Sequence, residues 1–178
     1  MKLFSFAFAA VLSLASFAGA AFAQSGNTLT IQLKDGPVVI QLMPDVAPKH
    51  VAQIEALAKK GAYDNVAFHR VIEGFMAQTG DVKFGNMEKG FDASRAGTGG
   101  SDLPDLPAEF SKTPFVRGTV GMARSQDPNS ANSQFFIMFA DGSFLNGQYT
   151  VVGKVVSGME NVDKIKRCLL YTSDAADE

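Results

Sequence analysis

The sequence predicts a mainly β protein, a closed antiparallel β-barrel capped by two α-helices. The first observation is a series of short segments that alternate apolar and polar residues or are rich in β-branched and aromatic residues. The second is that helical spacing occurs in only two places, one near each end of the folded part. Many short strands with few helices favour a closed barrel over a layered α/β fold.

A β-hairpin is predicted to open the domain. Residues 27–33 (NTLTIQL) and 38–42 (VVIQL) both alternate, and the KDGP sequence at 34–37 between them is typical of a turn. The two segments therefore form neighbouring antiparallel strands.

The first helix is predicted to follow this hairpin. Asp45 could cap its amino terminus, Pro48 lies in its first turn, and Gly61 ends it. Its apolar residues recur at helical spacing and are expected to face the core: Val51, Ile54, Leu57 and Ala58.

The stretch FHRVIEGFMAQTGD at 68–81 predicts two strands with a tight turn at Glu73-Gly74. Arg70 is a cation within this apolar run. A buried arginine is costly without partners, so Arg70 is either exposed on the strand or held in a site for a hydrogen-bond acceptor. From this stretch alone, both interpretations stay open.

The rest of the chain predicts a long loop, three strands and a second helix. Residues 83–109 lack periodicity, and loops of that length are usually functional or mobile. Strands are predicted at 119–123, 134–139 and 150–156, and a helix at 159–166.

The amino terminus has the features of a secretory signal peptide. Lys2 precedes a charge-free apolar run at 3–17, and the sequence AFA at 21–23 is a small-x-small cleavage site. We expect cleavage after Ala23 and a periplasmic or secreted domain, 24–167. The alternative is a membrane anchor, although the run is shorter than the roughly 20 residues a span needs.

Residues 168–178 (CLLYTSDAADE) show no helical or strand period. They resemble a sequencing adapter translated in frame, although a genuine divergent tail is the alternative. If they are adapter sequence, the domain ends at 167 and the carboxyl-terminal end of the natural protein is expected to be missing.

Charge and cysteine content exclude several classes of function. Setting aside Lys2 and the three acidic residues of 168–178 leaves 15 basic and 15 acidic residues, so no net field favours nucleic acid or an anionic membrane. Residues 24–167 contain no cysteine and only two distant histidines. We therefore expect no thiol catalysis, metal site or other cofactor.

Five motifs in this order resemble the cyclophilin family of peptidyl-prolyl isomerases: the 68–81 stretch, GTGG at 97–100, GMA at 121–123, SQFFI at 133–137 and VVGKV at 151–155. The resemblance covers 27 to about 166. It implies an eight-stranded barrel, whose last strand is expected to be missing here. It also implies a monomeric enzyme, resembling the exported bacterial members, that acts on proline-containing segments of client proteins.

The resemblance also assigns the site. It implies Arg70, Phe75 and Gln78 as catalytic residues, with the Arg70 guanidinium on the prolyl nitrogen and an apolar socket for the proline ring. It implies that the remaining residues bind substrate: Met76, Ala123, Arg124, Gln134, Phe136, Phe144, Leu145 and Tyr149.

Three positions depart from the animal cyclophilin pattern. Phe144 replaces a tryptophan whose indole N–H binds cyclosporin, Tyr149 replaces a histidine, and Arg124 replaces a common asparagine. None of these changes affects Arg70 or the socket, so activity should be retained while cyclosporin binds weakly if at all.

Two other functions were weighed. A hydrolase could combine His69, Asp81 and a serine, but no G-x-S-x-G motif is present. A binding module or holdase could use the same groove without catalysis. Catalysis is favoured over it because Arg70, Phe75, Gln78 and Phe136 are all intact.

Overall fold

The computed structural model of the protein describes residues 27–169. This part of the chain contains eight strands, two α-helices and a 3₁₀ turn at Ser143–Leu145. In chain order the elements are β1 Thr28–Leu33, β2 Gly36–Leu42, α1 Pro48–Lys59, β3 Arg70–Ile72, β4 Met76–Thr79, β5 Thr119–Met122, β6 Phe135–Met138, β7 Val151–Ser157, α2 Met159–Val162 and β8 Cys168–Leu169.

All eight strands belong to one antiparallel sheet, in the order β1-β2-β7-β5-β6-β4-β3-β8. The sheet curls, as is seen from one groove that is lined both by residues 29–33 of β1 and by residues 63–68, which precede β3. Among the described residues, β1 and β8 are not paired with each other. The mainly β barrel-like fold is therefore confirmed, with an opening between its two edge strands.

The first hairpin is confirmed with a tighter turn than expected. Leu33 pairs with Gly36, so Lys34 and Asp35 alone form the connection. Two-residue turns suit the twist of antiparallel strands.

Helix α1 is confirmed, but it begins at Pro48, later than expected, and the prediction that Asp45 caps it is wrong. Ala47 is at the cap position and makes no side-chain hydrogen bond there. The Glu109 carboxylate instead accepts the backbone N–H groups of Lys49 (3.1 Å) and His50 (3.1 Å). The amino terminus of α1 is therefore capped by a carboxylate from a distant loop and not by a residue next to the helix.

The apolar side chains form two clusters. The larger fills the barrel, beneath α1, with side chains such as Ile40, Ile54 and Ile137. The smaller, outside the barrel, contains Met76, Phe115, Phe136, Met138, Leu145 and Val151. The second cluster forms the base of the site described below.

The carboxyl-terminal elements differ from expectation. Helix α2 ends at Val162 rather than near Lys166, and the chain then pairs Cys168 with Val71 and Leu169 with Arg70. A short last strand is thus present where none was expected. Its physical reason is that the edge of β3 has unpaired N–H and C=O groups, and an extended chain beside such an edge can pair with them. The interpretation of 168–178 as adapter sequence stays a prediction.

The proposed signal peptide at 1–23 lies outside the described residues. Across 27–169, neither helix has the length and apolar character that crossing a membrane requires.

Candidate active site

A row of paired residues across three strands forms one side of the site. Arg70 on β3 pairs with Gln78 on β4, and Gln78 pairs with Phe136 on β6. Directly opposite residues on neighbouring strands project to the same face. The register therefore brings a cation, an amide and an aromatic ring together, although Phe136 is far from Arg70 in sequence.

These three side chains line a cleft of about 390 Å³. Ten of the eleven predicted site residues line it: Arg70, Phe75, Met76, Gln78, Ala123, Arg124, Phe136, Phe144, Leu145 and Tyr149. The eleventh, Gln134, lines an adjoining cleft. Gln148 also lines the first cleft and was missed, because no local pattern in its loop distinguishes it.

The floor of the first cleft is apolar. Met76, Phe136 and Leu145 are only 1%, 5% and 6% exposed. Phe115 stacks beneath Phe136 with ring centroids 5.7 Å apart, and a Cβ at Gly121 would lie 2.5 Å from the Phe115 ring. Glycine is thus required where the two rings pass over β5.

Aromatic residues form the rim. The Phe144 ring is 65% exposed and lies 5.6 Å from that of Phe75. Tyr149 meets Phe136 edge to face at 5.9 Å. Together with the floor, these rings form an apolar socket.

Arg70 lies half-buried at the edge of this socket. Within residues 27–169 its guanidinium makes no ion pair or side-chain hydrogen bond. Arginine carries a rigid fork of donors that stays charged. The cleft therefore presents an uncommitted cationic donor beside an apolar surface.

The amide of Gln78 is held by a relay. Its Nε2 donates to Gln134 Oε1 (2.9 Å), and Gln134 Nε2 donates to the carbonyls of Gly97 (3.0 Å) and Gly99 (2.6 Å). Gln134 thus orients the side-chain amide of Gln78, whose Oε1 can accept a hydrogen bond from a ligand N–H. The resemblance implied that both amides contact the substrate, whereas in the structure Gln134 also positions Gln78.

Asp81 anchors the loop that carries these glycines. It is completely buried, and its carboxylate accepts four backbone N–H groups: Lys83 (3.1 Å), Phe84 (2.9 Å), Gly97 (2.7 Å) and Gly99 (2.9 Å). Burial lowers the pKa of the neighbouring His69, against an opposing effect of Asp81. With its oxygens committed to the loop, Asp81 is a structural group, which argues against the hydrolase alternative.

A second cleft of about 350 Å³ adjoins the first and shares Gln78, Ala123 and Arg124 with it. Gly97, Thr98 and Gly99 also line it. The Ala123 N–H donates to Gln134 O (2.9 Å), which joins the floor shared by the two clefts to the segment before β6.

No cluster of three His, Cys, Asp or Glu side chains that could hold a metal ion occurs between residues 27 and 169. The polar groups that line the first cleft are the guanidiniums of Arg70 and Arg124, the side-chain amides of Gln78 and Gln148 and the Tyr149 hydroxyl, beside apolar surface.

A curled antiparallel sheet with an apolar socket, a guanidinium that has no hydrogen bond or ion pair in residues 27–169, and a polar groove alongside defines a β-barrel protein with a ligand-binding cleft. Comparison with protein families narrows this class. Residues 28–177 match the model described as "Cyclophilin type peptidyl-prolyl cis-trans isomerase/CLD". The chain therefore belongs to the cyclophilin-type peptidyl-prolyl cis-trans isomerases, as the sequence motifs predicted.

Individual relatives agree. The chain is 74% identical over 156 residues to a probable peptidyl-prolyl cis-trans isomerase of Brucella suis, covering 88% of this chain and 80% of the relative. It is 37% identical over 146 residues to peptidyl-prolyl cis-trans isomerase B of Escherichia coli, covering 78% and 83%.

Solved structures share the fold. A cyclophilin from Hirschia baltica superposes with a TM-score of 0.67 at 27% identity, covering 79% of this chain and 68% of that one. A Cryptosporidium parvum cyclophilin-type isomerase, crystallised in the presence of the dipeptide Ala-Pro, gives 0.68 at 29% identity, covering 80% and 86%.

Proposed function

We propose that the first cleft accelerates rotation about X-Pro bonds by binding the twisted transition state. The proline ring occupies the socket formed by Phe75, Met76, Phe136 and Leu145, and the Arg70 guanidinium donates to the prolyl nitrogen. The observation that carries this proposal is that the Arg70 guanidinium makes no hydrogen bond or ion pair within the described residues and borders an apolar surface.

The chemistry needs no covalent step. The barrier to rotation is roughly 18–20 kcal/mol because the C–N bond has partial double-bond character. A donor to the prolyl nitrogen favours its pyramidal form, which is present only when the bond is twisted, so the contact lowers the barrier selectively. Gln78 would hold the peptide backbone while the proline ring is fixed.

We propose proline-containing segments of unfolded or exported proteins as substrates. The Cryptosporidium parvum relative crystallised with Ala-Pro supports a proline dipeptide as the minimal ligand. Client segments would bind in an extended form, because the first and second clefts adjoin at Gln78, Ala123 and Arg124 and together form one groove.

The experiment is exchange spectroscopy by NMR on a blocked Ala-Pro peptide, with a protein that begins at Gln24. We expect line broadening that Arg70→Ala reduces by about 10²–10³ in rate, the usual cost of losing such a donor. Circular dichroism should be unchanged, because Arg70 contributes little to packing. Near wild-type exchange in a folded Arg70→Ala protein would disprove this mechanism.

We also propose that the protein is exported to the periplasm or secreted, where it assists folding as a monomer. The features that support export are Lys2, the apolar run and the AFA site. Mass spectrometry of the protein recovered from a periplasmic fraction should give an amino terminus at Gln24. An intact Met1 in the cytoplasm would contradict the proposal.

A further inference from the structure

Arg124 occupies the wall between the two clefts. It lines both of them, with Gln78 and Ala123. A peptide with its proline in the socket that continues over Ala123 into the second cleft passes this side chain. Arg124 is therefore placed to contact a residue that flanks the X-Pro unit, not the proline itself.

The lining of the two clefts is positively charged. Arg70 and Arg124 are its charged residues, and no aspartate or glutamate contributes to either cleft among the described residues. Arg124 has no ion pair there either; its contacts are to neutral carbonyls and a ring. Cleft walls of low polarizability focus such a field on a bound ligand.

The Arg124 guanidinium is held in place. It lies 4.4 Å above the centre of the Tyr149 ring, and its Nη2 and Nε donate to Gln148 O at 2.9 and 3.3 Å. Its Nη1 donates to Ser125 O (2.8 Å) and Gln126 O (3.3 Å). Because a guanidinium has five N–H donors, one N–H of Nη2 has no acceptor in the described part of the chain.

We infer that Arg124 selects among substrates, favouring client segments with a carboxylate side chain next to the X-Pro unit, on the side that enters the second cleft. A fixed cation with a spare donor binds a carboxylate at little further cost in side-chain entropy. This inference rests on the proposed use of the first cleft as the proline site. Arg124 would determine which client segments bind well, whereas Arg70 would accelerate rotation about the X-Pro bond.

The test uses blocked peptides that contain Ala-Pro, with Glu, Gln or Lys either before or after this unit. In one of the two sets we expect kcat/KM for the Glu peptide to exceed that for Gln by about 1.5- to 5-fold at low salt, the range of a partly exposed ion pair. The Lys peptide should fall below Gln. In about 1 M salt, where the screening length is roughly 3 Å, the preference should disappear.

Variants distinguish an effect of charge from a general loss of activity. The ratio of kcat/KM for the Glu and Gln peptides is measured within each protein, so a loss that affects both peptides equally cancels. Arg124→Gln should bring the Glu-to-Gln ratio to unity, whereas Arg124→Lys should retain a preference. The control is Arg95→Gln, which removes a cation that packs on Phe84 and lines neither cleft. Its ratio should equal that of the wild type.

Two results overturn the inference: a ratio of unity in both peptide sets for the wild type, or a preference that survives Arg124→Gln. If the Gln peptides are isomerised in an Arg70-dependent manner while the ratio is unity, this inference alone fails. If no peptide is isomerised, or isomerisation does not depend on Arg70, the proposed mechanism fails with it.

Discussion

Replacing Asp81 by asparagine should destabilise the protein more than its single-atom difference suggests. The carboxylate divides four backbone N–H groups between its two oxygens, Lys83 and Phe84 on Oδ1, Gly97 and Gly99 on Oδ2. In Asp81→Asn one oxygen becomes an NH₂ group. Whichever way the amide turns, two N–H groups lose their acceptor and face another donor in a fully buried site.

The magnitude follows from the number of bonds. A hydrogen bond to a charged group contributes about 1.5–3 kcal/mol, so losing two costs on the order of 3–6 kcal/mol. That is a large part of the roughly 5–15 kcal/mol that stabilises a typical domain. At about 2–4 °C per kcal/mol for a chain of this size, the melting temperature should fall by at least about 6 °C.

The assay is thermal and urea unfolding followed by circular dichroism, with isomerase activity measured in parallel. Activity should also fall, because Asp81 positions Gly97 and Gly99, whose carbonyls hold Gln134 and through it Gln78. The control is Asp102→Asn, at an exposed aspartate of the same loop, which should melt close to wild type. If Asp81→Asn melts within about 2 °C of wild type, the four bonds do not hold the loop as argued here.

Three further predictions concern other parts of the molecule. Cyclosporin should inhibit weakly, and Phe144→Trp should tighten its binding by about tenfold through one added hydrogen bond; nanomolar inhibition of the wild type, unchanged in the variant, would contradict this. Burial alone would raise the pKa of Glu109, but hydrogen bonds from the ring and N–H of His50 and from Lys49 lower it below the usual 4.5. The ionised Glu109 therefore stabilises the fold fully above pH 4.5, and this stabilisation is lost as the pH falls through the lower pKa of the folded state. The unfolding free energy of Glu109→Gln should thus vary less with pH between 5 and 3 than that of the wild type. Equal pH dependence of the two proteins would contradict the lowered pKa. Replacing 168–178 with the last strand of a relative should raise the melting temperature by covering the groove beside β1; equal melting, with the natural tail protected from protease, would show that the tail is a genuine element.

Local sequence rules located the strands better than the contacts between them. Alternation predicted that Arg70 and Ile72 share a face, and the turn at Gly74 followed from its composition. That Phe136 lies beside Gln78 depends on the pairing of β4 with β6, residues more than fifty positions apart. Periodicity carries no information on such pairing, so only the family resemblance implied it.

The errors have a common physical cause. Asp45 was expected to cap α1 because capping rules consider only neighbouring residues. The cap is Glu109, which folding brings from the end of the long loop. The role of Asp81 in holding the loop was not predicted for the same reason, because its four N–H partners come from two chain segments that are not adjacent in sequence.

The two apolar clusters determine which substitutions can test the site. On β4 and β6, Ala77 and Ile137 belong to the cluster inside the barrel while Met76, Phe136 and Met138 belong to the cluster at the base of the cleft, so this part of the sheet has packed side chains on both surfaces. Truncating Phe136 would remove a buried ring, at a cost of about 3–5 kcal/mol, and loss of activity could not be separated from loss of fold. Phe144 and Arg70 lie at the rim with little packing, so changes there report on binding and rotation alone.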